Sequence, residues 1–148
     1  MTGTVVLGVC ALIGAWLDVT QRRLPNWLSL ATGLAGFGFV LAEFGVEQLP
    51  WAAGHAAIAL LVGMALFRMG WIGGGDAKFY TACAAWFPLQ EGSTLLVSVS
   101  LAGLLLVFGW FGYRRFRRVR IDADRGKFGM VPYGLAVAVG AIIARVVA

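Results

Sequence analysis

The chain has 148 residues, of which 60% are hydrophobic and 13% are charged, and its formal net charge is +5. Its mean hydropathy of +0.84 lies far outside the range of soluble globular and disordered chains and is typical of an integral membrane protein. A chain of this length usually forms one domain, so residues 1–148 are interpreted as a single domain.

Six stretches without Asp, Glu, Lys or Arg follow one another along the chain. They cover residues 1–17, 24–42, 48–67, 79–90, 92–113 and 128–144, and their lengths are 17, 19, 20, 12, 22 and 17 residues. A membrane-spanning helix needs about 20 residues, in a range of about 17–25, so five stretches fit and the fourth is short. The sequence therefore predicts an all-α, polytopic membrane protein built as a bundle of six transmembrane helices.

The first stretch has to be distinguished from a cleaved signal peptide, which begins with basic residues and ends in a small-residue cleavage site. Here no Lys or Arg precedes the apolar run, and Arg22 and Arg23 follow it. We therefore interpret it as a retained first span.

The loops between the six predicted helices differ in charge. Loops two and four contain Glu43, Glu47 and Glu91 as their charged residues. Loops one, three and five hold 11 of the 12 basic residues: Arg22, Arg23, Arg68, Lys78, Arg114, Arg115, Arg117, Arg118, Arg120, Arg125 and Lys127. Because cytoplasmic loops carry the excess of Lys and Arg, we expect a multi-pass protein with both termini on the outer side. This topology, with contact to anionic inner-leaflet lipid, accounts for the net positive charge, so no nucleic-acid partner is expected.

The longest polar segment covers residues 114–127, "RRFRRVRIDADRGK". It is interpreted as a solvated cytoplasmic loop that anchors the fifth helix, with a docking surface for a partner as the alternative.

The two cysteines, Cys10 and Cys83, lie inside apolar stretches, which predicts buried free thiols rather than a disulfide. The chain has no CxxC pair, so the sequence gives no indication of a zinc site, and no metal or cofactor is expected.

The first carboxylate of interest, Asp18, ends the first predicted helix in "GAWLDVTQRRLPNW". The helix macrodipole disfavours a negative charge at a helix C-terminus, and Arg22 is the nearest basic residue. An ionisable residue at membrane depth is by default a functional hypothesis.

The second carboxylate, Asp76, precedes the fourth predicted helix in "GGGDAKFY". From residue 77 to 90 this helix has 14 residues, which is about 21 Å against a membrane core of about 30 Å. Asp76 is thus predicted to lie inside the cytoplasmic boundary, at the same depth as Asp18. The alternative role for Asp76 is a helix N-cap.

Two carboxylates at one depth indicate a specific chemistry. Closely placed carboxylates share a proton and divide into an acid and a base, so one can activate water while the other protonates the scissile carbonyl, as in an aspartic protease. Gly73, Gly74 and Gly75 would let an extended substrate backbone come close, in an unwound segment that lines a cavity.

Three motifs carry a resemblance to a known family. The first is "DVTQRRLPN", which includes Asp18, Arg22, Pro25 and Asn26, with Leu24 where an Ile is usual. The second is Gly-x-Gly-Asp-x-Lys, formed by Gly73, Gly75, Asp76 and Lys78, and the third is "VPYGLAVAVG" at residues 131–140. Together they resemble the type IV prepilin peptidase family of membrane aspartic proteases.

The resemblance implies that a short basic leader is removed from a prepilin or pseudopilin, just before its hydrophobic helix, at the cytoplasmic face of the bacterial inner membrane. It implies that Asp18 and Asp76 are the catalytic pair, with Lys78 and Arg22 tuning the pair or steering the substrate. The size of the chain is similar to the short peptidases of Flp-type (tight-adherence) pilus systems. Larger members carry an inserted domain with CxxC motifs and also methylate the new N-terminus, so methylation is not expected here.

Other classes remain open. Presenilin and signal-peptide peptidases share Gly-x-Gly-Asp but have Tyr–Asp and Pro–Ala–Leu motifs, whereas here Leu17 precedes Asp18 and the late motif contains Pro132, Tyr133 and Gly134. A transporter could use the two carboxylates as a proton or cation relay, although no repeat or midplane site is evident. A non-catalytic assembly scaffold is a further alternative. His55 is interpreted as a packed or hydrogen-bonded residue.

Overall fold

The computed structural model describes residues 2–21, 23–116 and 133–147. Within these ranges the chain is helical and contains no strand. The α-helices are α1 (Thr2–Gln21), α2 (Asn26–Phe44), α3 (Leu49–Arg68), α4 (Gly74–Ala84), α5 (Gly92–Phe116) and α6 (Tyr133–Val147). Single 3-10 turns at Val46–Gln48 and Leu89–Glu91 lead into α3 and α5. Most of the polar segment 114–127 lies outside the described residues.

In the described part of the chain, four helical segments are long and apolar enough to cross a membrane: Gly3–Gln21, Asn26–Phe44, Val46–Arg68 and Leu89–Tyr113. Their outward faces expose large apolar side chains such as Leu12, Leu61 and Leu105, which suits lipid and not water. The described residues are thus all-α, with helices of the length and apolarity that the prediction of a membrane protein requires. The other two helices are shorter, with 11 residues in α4 and 15 in α6, so six complete spans stay a prediction.

The predicted bounds of the fourth helix, 77–90, are wrong at both ends, because α4 begins at Gly74 and ends at Ala84. The backbone N–H groups of Trp86 and Phe87 donate to the carbonyls of Cys83 and Ala84, each at 3.1 Å, which is the tightening typical of a helix end. Pro88 follows, and proline disfavours helical conformation in the residue before it. With 11 residues, α4 is about 16 Å long, about half of the membrane core.

The core of the bundle is built around α4 and α6. α4 packs against α2, α3 and α6, and α6 packs also against α1 and α5. The turn after α4 is buried, and its Trp86 donates an Nε1–H hydrogen bond of 2.9 Å to the carbonyl of Thr32. Gly36 makes room for this indole, since an added Cβ would lie 2.7 Å from its ring.

Polar contacts close the end of the bundle where α3 begins and α6 ends. His55 is buried, with Nδ1 3.0 Å from the carbonyl oxygen of Phe87, in agreement with its predicted packing role. The guanidinium of Arg145 lies 4.5 Å from the ring centroid of Phe39 and 4.0 Å from a carboxylate oxygen of Glu91. At the opposite end, the C-terminus of α1 meets the N-termini of α2, α4 and α6.

Candidate active site

A pocket of about 550 Å³ opens where these four helix ends meet. Both predicted carboxylates line it, as do most of the motif residues named from the sequence. Its lining residues are Asp18, Gln21, Arg23, Leu24, Pro25, Asn26, Gly73, Gly74, Gly75 and Asp76. Lys78 is not among them, and Arg22 lies outside the described residues.

Asp18 lies in the last turn of α1 and is 8% exposed. Its Oδ2 accepts a hydrogen bond of 3.2 Å from the backbone N–H of Leu135, in the first turn of α6. The first N–H groups of a helix lack partners within it and form its positive end. Asp18 lies at the C-terminal end of its own helix, where the macrodipole disfavours a negative charge. The fold brings its carboxylate to the N-terminal end of α6, where the macrodipole favours one.

Gly134 makes this contact possible because it has no side chain. A Cβ added there would lie 2.9 Å from Cγ and Oδ2 of Asp18 and 2.9 Å from Cδ1 of Leu24. The glycine of the third motif therefore lets α6 approach the first carboxylate. Sequence reasoning found the motif but missed this role, and the only signal was a glycine close to the predicted start of the last helix.

Asp76 is the third residue of α4 and is half-buried. The N-cap position belongs to Gly73, whose backbone is extended (φ −73°, ψ 144°). The N-cap interpretation of Asp76 is therefore wrong about the position, although its carboxylate does accept a backbone hydrogen bond from Gly73 at the start of α4. Asp76 instead lies in the first turn, where the macrodipole favours a negative charge. Its carboxylate interacts electrostatically with that of Asp18.

The three glycines before and at the start of α4 allow close packing. A Cβ on Gly73 would lie 2.7 Å from Oδ2 of Asp76, so this glycine gives the carboxylate its position. Cβ atoms on Gly74 and Gly75 would lie 3.3 Å from Phe67 and 3.3 Å from Leu24, respectively. These contacts give a packing reason for the three consecutive glycines. Their predicted role in making space for an extended substrate stays a prediction.

Lys78 connects the first two motifs. Its Nζ donates a hydrogen bond of 3.0 Å to Oδ1 of Asn26, the first residue of α2. Both side chains are exposed, and Lys78 does not line the pocket. The contact holds the two pocket-forming segments together.

The pocket offers two carboxylates together with the polar side chains of Gln21, Arg23 and Asn26 and several small or apolar residues. Among the described residues no group of three or more His, Cys, Asp or Glu side chains is arranged to hold a metal ion. A pair of facing carboxylates suits general acid–base catalysis.

Comparison with known proteins gives one family. Residues 5–108, more than half of the chain, match the family model described as the type IV leader peptidase family. The matched range includes Asp18 and Asp76 and ends before α6. No curated protein and no solved structure matches the chain.

Proposed function

The chain belongs to the type IV leader peptidase family, and we propose that it is a membrane-embedded aspartic endopeptidase with Asp18 and Asp76 as the catalytic pair. The observation that carries this proposal is that two carboxylates from separate helices line one pocket. Membership of a peptidase family favours this function over the transporter and scaffold alternatives.

We assign different roles to the two carboxylates. Asp18 accepts the Leu135 N–H bond at the start of α6, and such a bond favours the ionised form of a carboxyl group. Asp18 is therefore the general base. Asp76 also accepts a backbone hydrogen bond, from Gly73, but burial and the negative charge of Asp18 act on it more strongly. It therefore keeps the proton that two neighbouring carboxyl groups share and is the general acid.

The hydrolysis then follows from these roles. Asp18 takes a proton from a water molecule as the water oxygen attacks the scissile carbonyl carbon, while Asp76 gives its proton to the carbonyl oxygen. The tetrahedral intermediate collapses when the C–N bond breaks, a proton from Asp18 passes to the leaving nitrogen, and Asp76 recovers its proton. The products are a free carboxyl group on the leader and a free amine on the mature protein.

The substrate class comes from the family and from the location of the pocket. Arg23 lines the pocket, and Arg68, in the last turn of α3, shortly precedes Gly73, which also lines it. This end of the bundle therefore carries basic residues, which are typical of the cytoplasmic side. We infer that the pocket faces the cytoplasm of a bacterial inner membrane and cleaves the leader of a prepilin or pseudopilin, in a pilus system of the Flp type.

The test is co-expression with a prepilin from the same genome, with leader removal followed by mass spectrometry. Wild type is compared with Asp18→Asn, Asp76→Asn and the control Glu47→Gln, an exposed acidic residue far from the pocket. We expect cleavage by wild type and by the control only, and a new N-terminus without a methyl group. Cleavage by either Asp variant at the wild-type rate would remove that residue from the pair.

A further inference from the structure

A second, larger cavity of about 830 Å³ forms a groove along the bundle. Its walls come from α3, with Ile58 and Val62, and from α5, with Leu96 and Leu104. Its floor comes from α4 and α6, which pack against each other between those walls. The lining is predominantly apolar, and the groove runs in the direction of the long helices.

We propose that this groove, between α3 and α5, binds the hydrophobic helix of the substrate, with the start of that helix at Asp76. The inference rests on the proposed function, because it assumes a substrate whose cleavage site directly precedes an apolar helix.

The dimensions of the groove suit one face of a helix. Along α5 its lining extends from Gly92 to Val107, which is about 22 Å at 1.5 Å per residue and most of the membrane core of about 30 Å. A volume of about 830 Å³ over this length gives a mean cross-section of about 40 Å². A helix with side chains is about 10–12 Å across, so one face enters the groove and the other stays in lipid.

The groove and the candidate active site share a residue. Asp76 lines both cavities, so an occupant of the groove ends at the candidate catalytic acid. A bound helix that begins there places the peptide bond before it within the pocket, which is the position that leader removal requires.

Small residues line much of the groove. Ser100 and Gly103 on α5 are accessible at its surface, whereas the deeper lining is buried and comes from Ala59, Gly63, Ala77 and Ala136. In membranes, helix association depends on close packing, and small residues let another helix approach. Lipid tails can fill an apolar groove as well, but a lipid tail has no peptide bond to place beside Asp76.

A steric block at Ser100 tests the proposal. Ser100 is exposed and lines the groove, whereas its neighbour Leu101 is 55% exposed and faces away from it. The purified variants Ser100→Phe and Leu101→Phe are assayed on full-length prepilin and on a peptide that carries the leader, the cleavage site and only the first few residues of the hydrophobic helix. Because a docked helix buries several apolar side chains, we expect Ser100→Phe to lower kcat/KM for prepilin about tenfold more than for the peptide. Leu101→Phe should affect both substrates alike.

Disulfide cross-linking gives a second, independent measurement. Ser100→Cys and Leu101→Cys are made in Cys10→Ala protein, leaving Cys83, which is fully buried, and the parent protein without an added cysteine is the control. The inactivating Asp76→Asn change keeps the substrate uncleaved, and the prepilin carries one cysteine in its helix. We expect cross-linking through position 100 and not through position 101.

The outcomes separate the two proposals. One outcome would overturn the docking proposal while leaving the proposed function intact. In it, wild type cleaves both substrates, Ser100→Phe has the same effect as Leu101→Phe, and cysteines at positions 100 and 101 cross-link equally or not at all. The groove would then hold lipid. If wild type cleaves neither substrate, the proposed function itself fails.

Discussion

Replacing Gly134 with alanine is expected to lower kcat for leader removal about 10- to 100-fold. The added Cβ would lie 2.9 Å from Cγ and Oδ2 of Asp18, whereas ordinary contacts begin at 3.4 Å. The carboxylate therefore has to withdraw by about 0.5 Å. The hydrogen bond from the Leu135 N–H is already 3.2 Å long, and this withdrawal stretches it to about 3.7 Å, beyond the hydrogen-bonding range.

The size of the effect follows from the bond that is lost. A hydrogen bond to a charged group is worth about 1.5–3 kcal/mol, and about 1.4 kcal/mol corresponds to a factor of ten in rate. A misplaced catalytic group has an effect of similar size. The change acts on the base and not on docking of the leader, so kcat should fall and KM should stay close to its wild-type value.

The assay measures initial rates of leader removal with purified protein in detergent or liposomes. Gly109→Ala is the matched control, because a Cβ there meets nothing within 4 Å. Thermal unfolding of the solubilised variants separates lost catalysis from lost folding. A folded Gly134→Ala protein with wild-type kcat would refute the assignment of Asp18 as a base held by α6.

Three further predictions concern the same pocket. Asp18→Asn and Asp76→Asn should each reduce cleavage about a thousandfold or more while membrane insertion, followed by fractionation, is unchanged; cleavage close to wild type would contradict the paired mechanism. Lys78→Ala and Asn26→Ala should each lower kcat/KM a few-fold, since an exposed hydrogen bond is worth about 0.5–1.5 kcal/mol, and the double variant should be no worse than either single one. Additive losses would show that the two side chains act separately. EDTA should leave the rate unchanged, and inhibition that zinc reverses would contradict a mechanism based on carboxylates alone.

The sequence predicted the long helices well, since a span has to be both long and free of charge. It failed at the end of α4, where the apolar run continues through Trp86 and Phe87 although the helix has stopped. Both side chains are buried in a turn inside the bundle. Apolar residues indicate that a segment is buried, but they do not indicate whether it is helical. A buried turn has the same apolar composition as a buried helix, so the end of α4 could not be predicted from hydrophobicity.

The candidate site was predictable as far as its carboxylates, and the family match confirms the resemblance carried by the motifs. Asp18 and Asp76 flank loops on the same side of the predicted topology, which is why they were placed at one depth. The Leu135 N–H was not predictable, because it comes from the backbone, 117 residues from Asp18 in sequence. Almost any residue can supply a backbone N–H, so the amino-acid sequence does not show where such a donor lies. The one sequence feature connected with it is Gly134, which makes room for the contact.

The two short helices also explain how so apolar a chain holds two carboxylates in one pocket. α4 and α6 both begin there, and each N-terminus carries about half a positive charge, which stabilises a carboxylate by at most about 2 kcal/mol. Two full negative charges in one pocket repel each other, and burial adds to this cost. The helix ends offset part of it, and a single shared proton removes the repulsion, so the pair is most stable with one carboxyl group ionised and the other protonated. One ionised and one protonated carboxyl group are what the proposed peptide hydrolysis requires, so the packing that stabilises the pocket would also prepare it for this reaction.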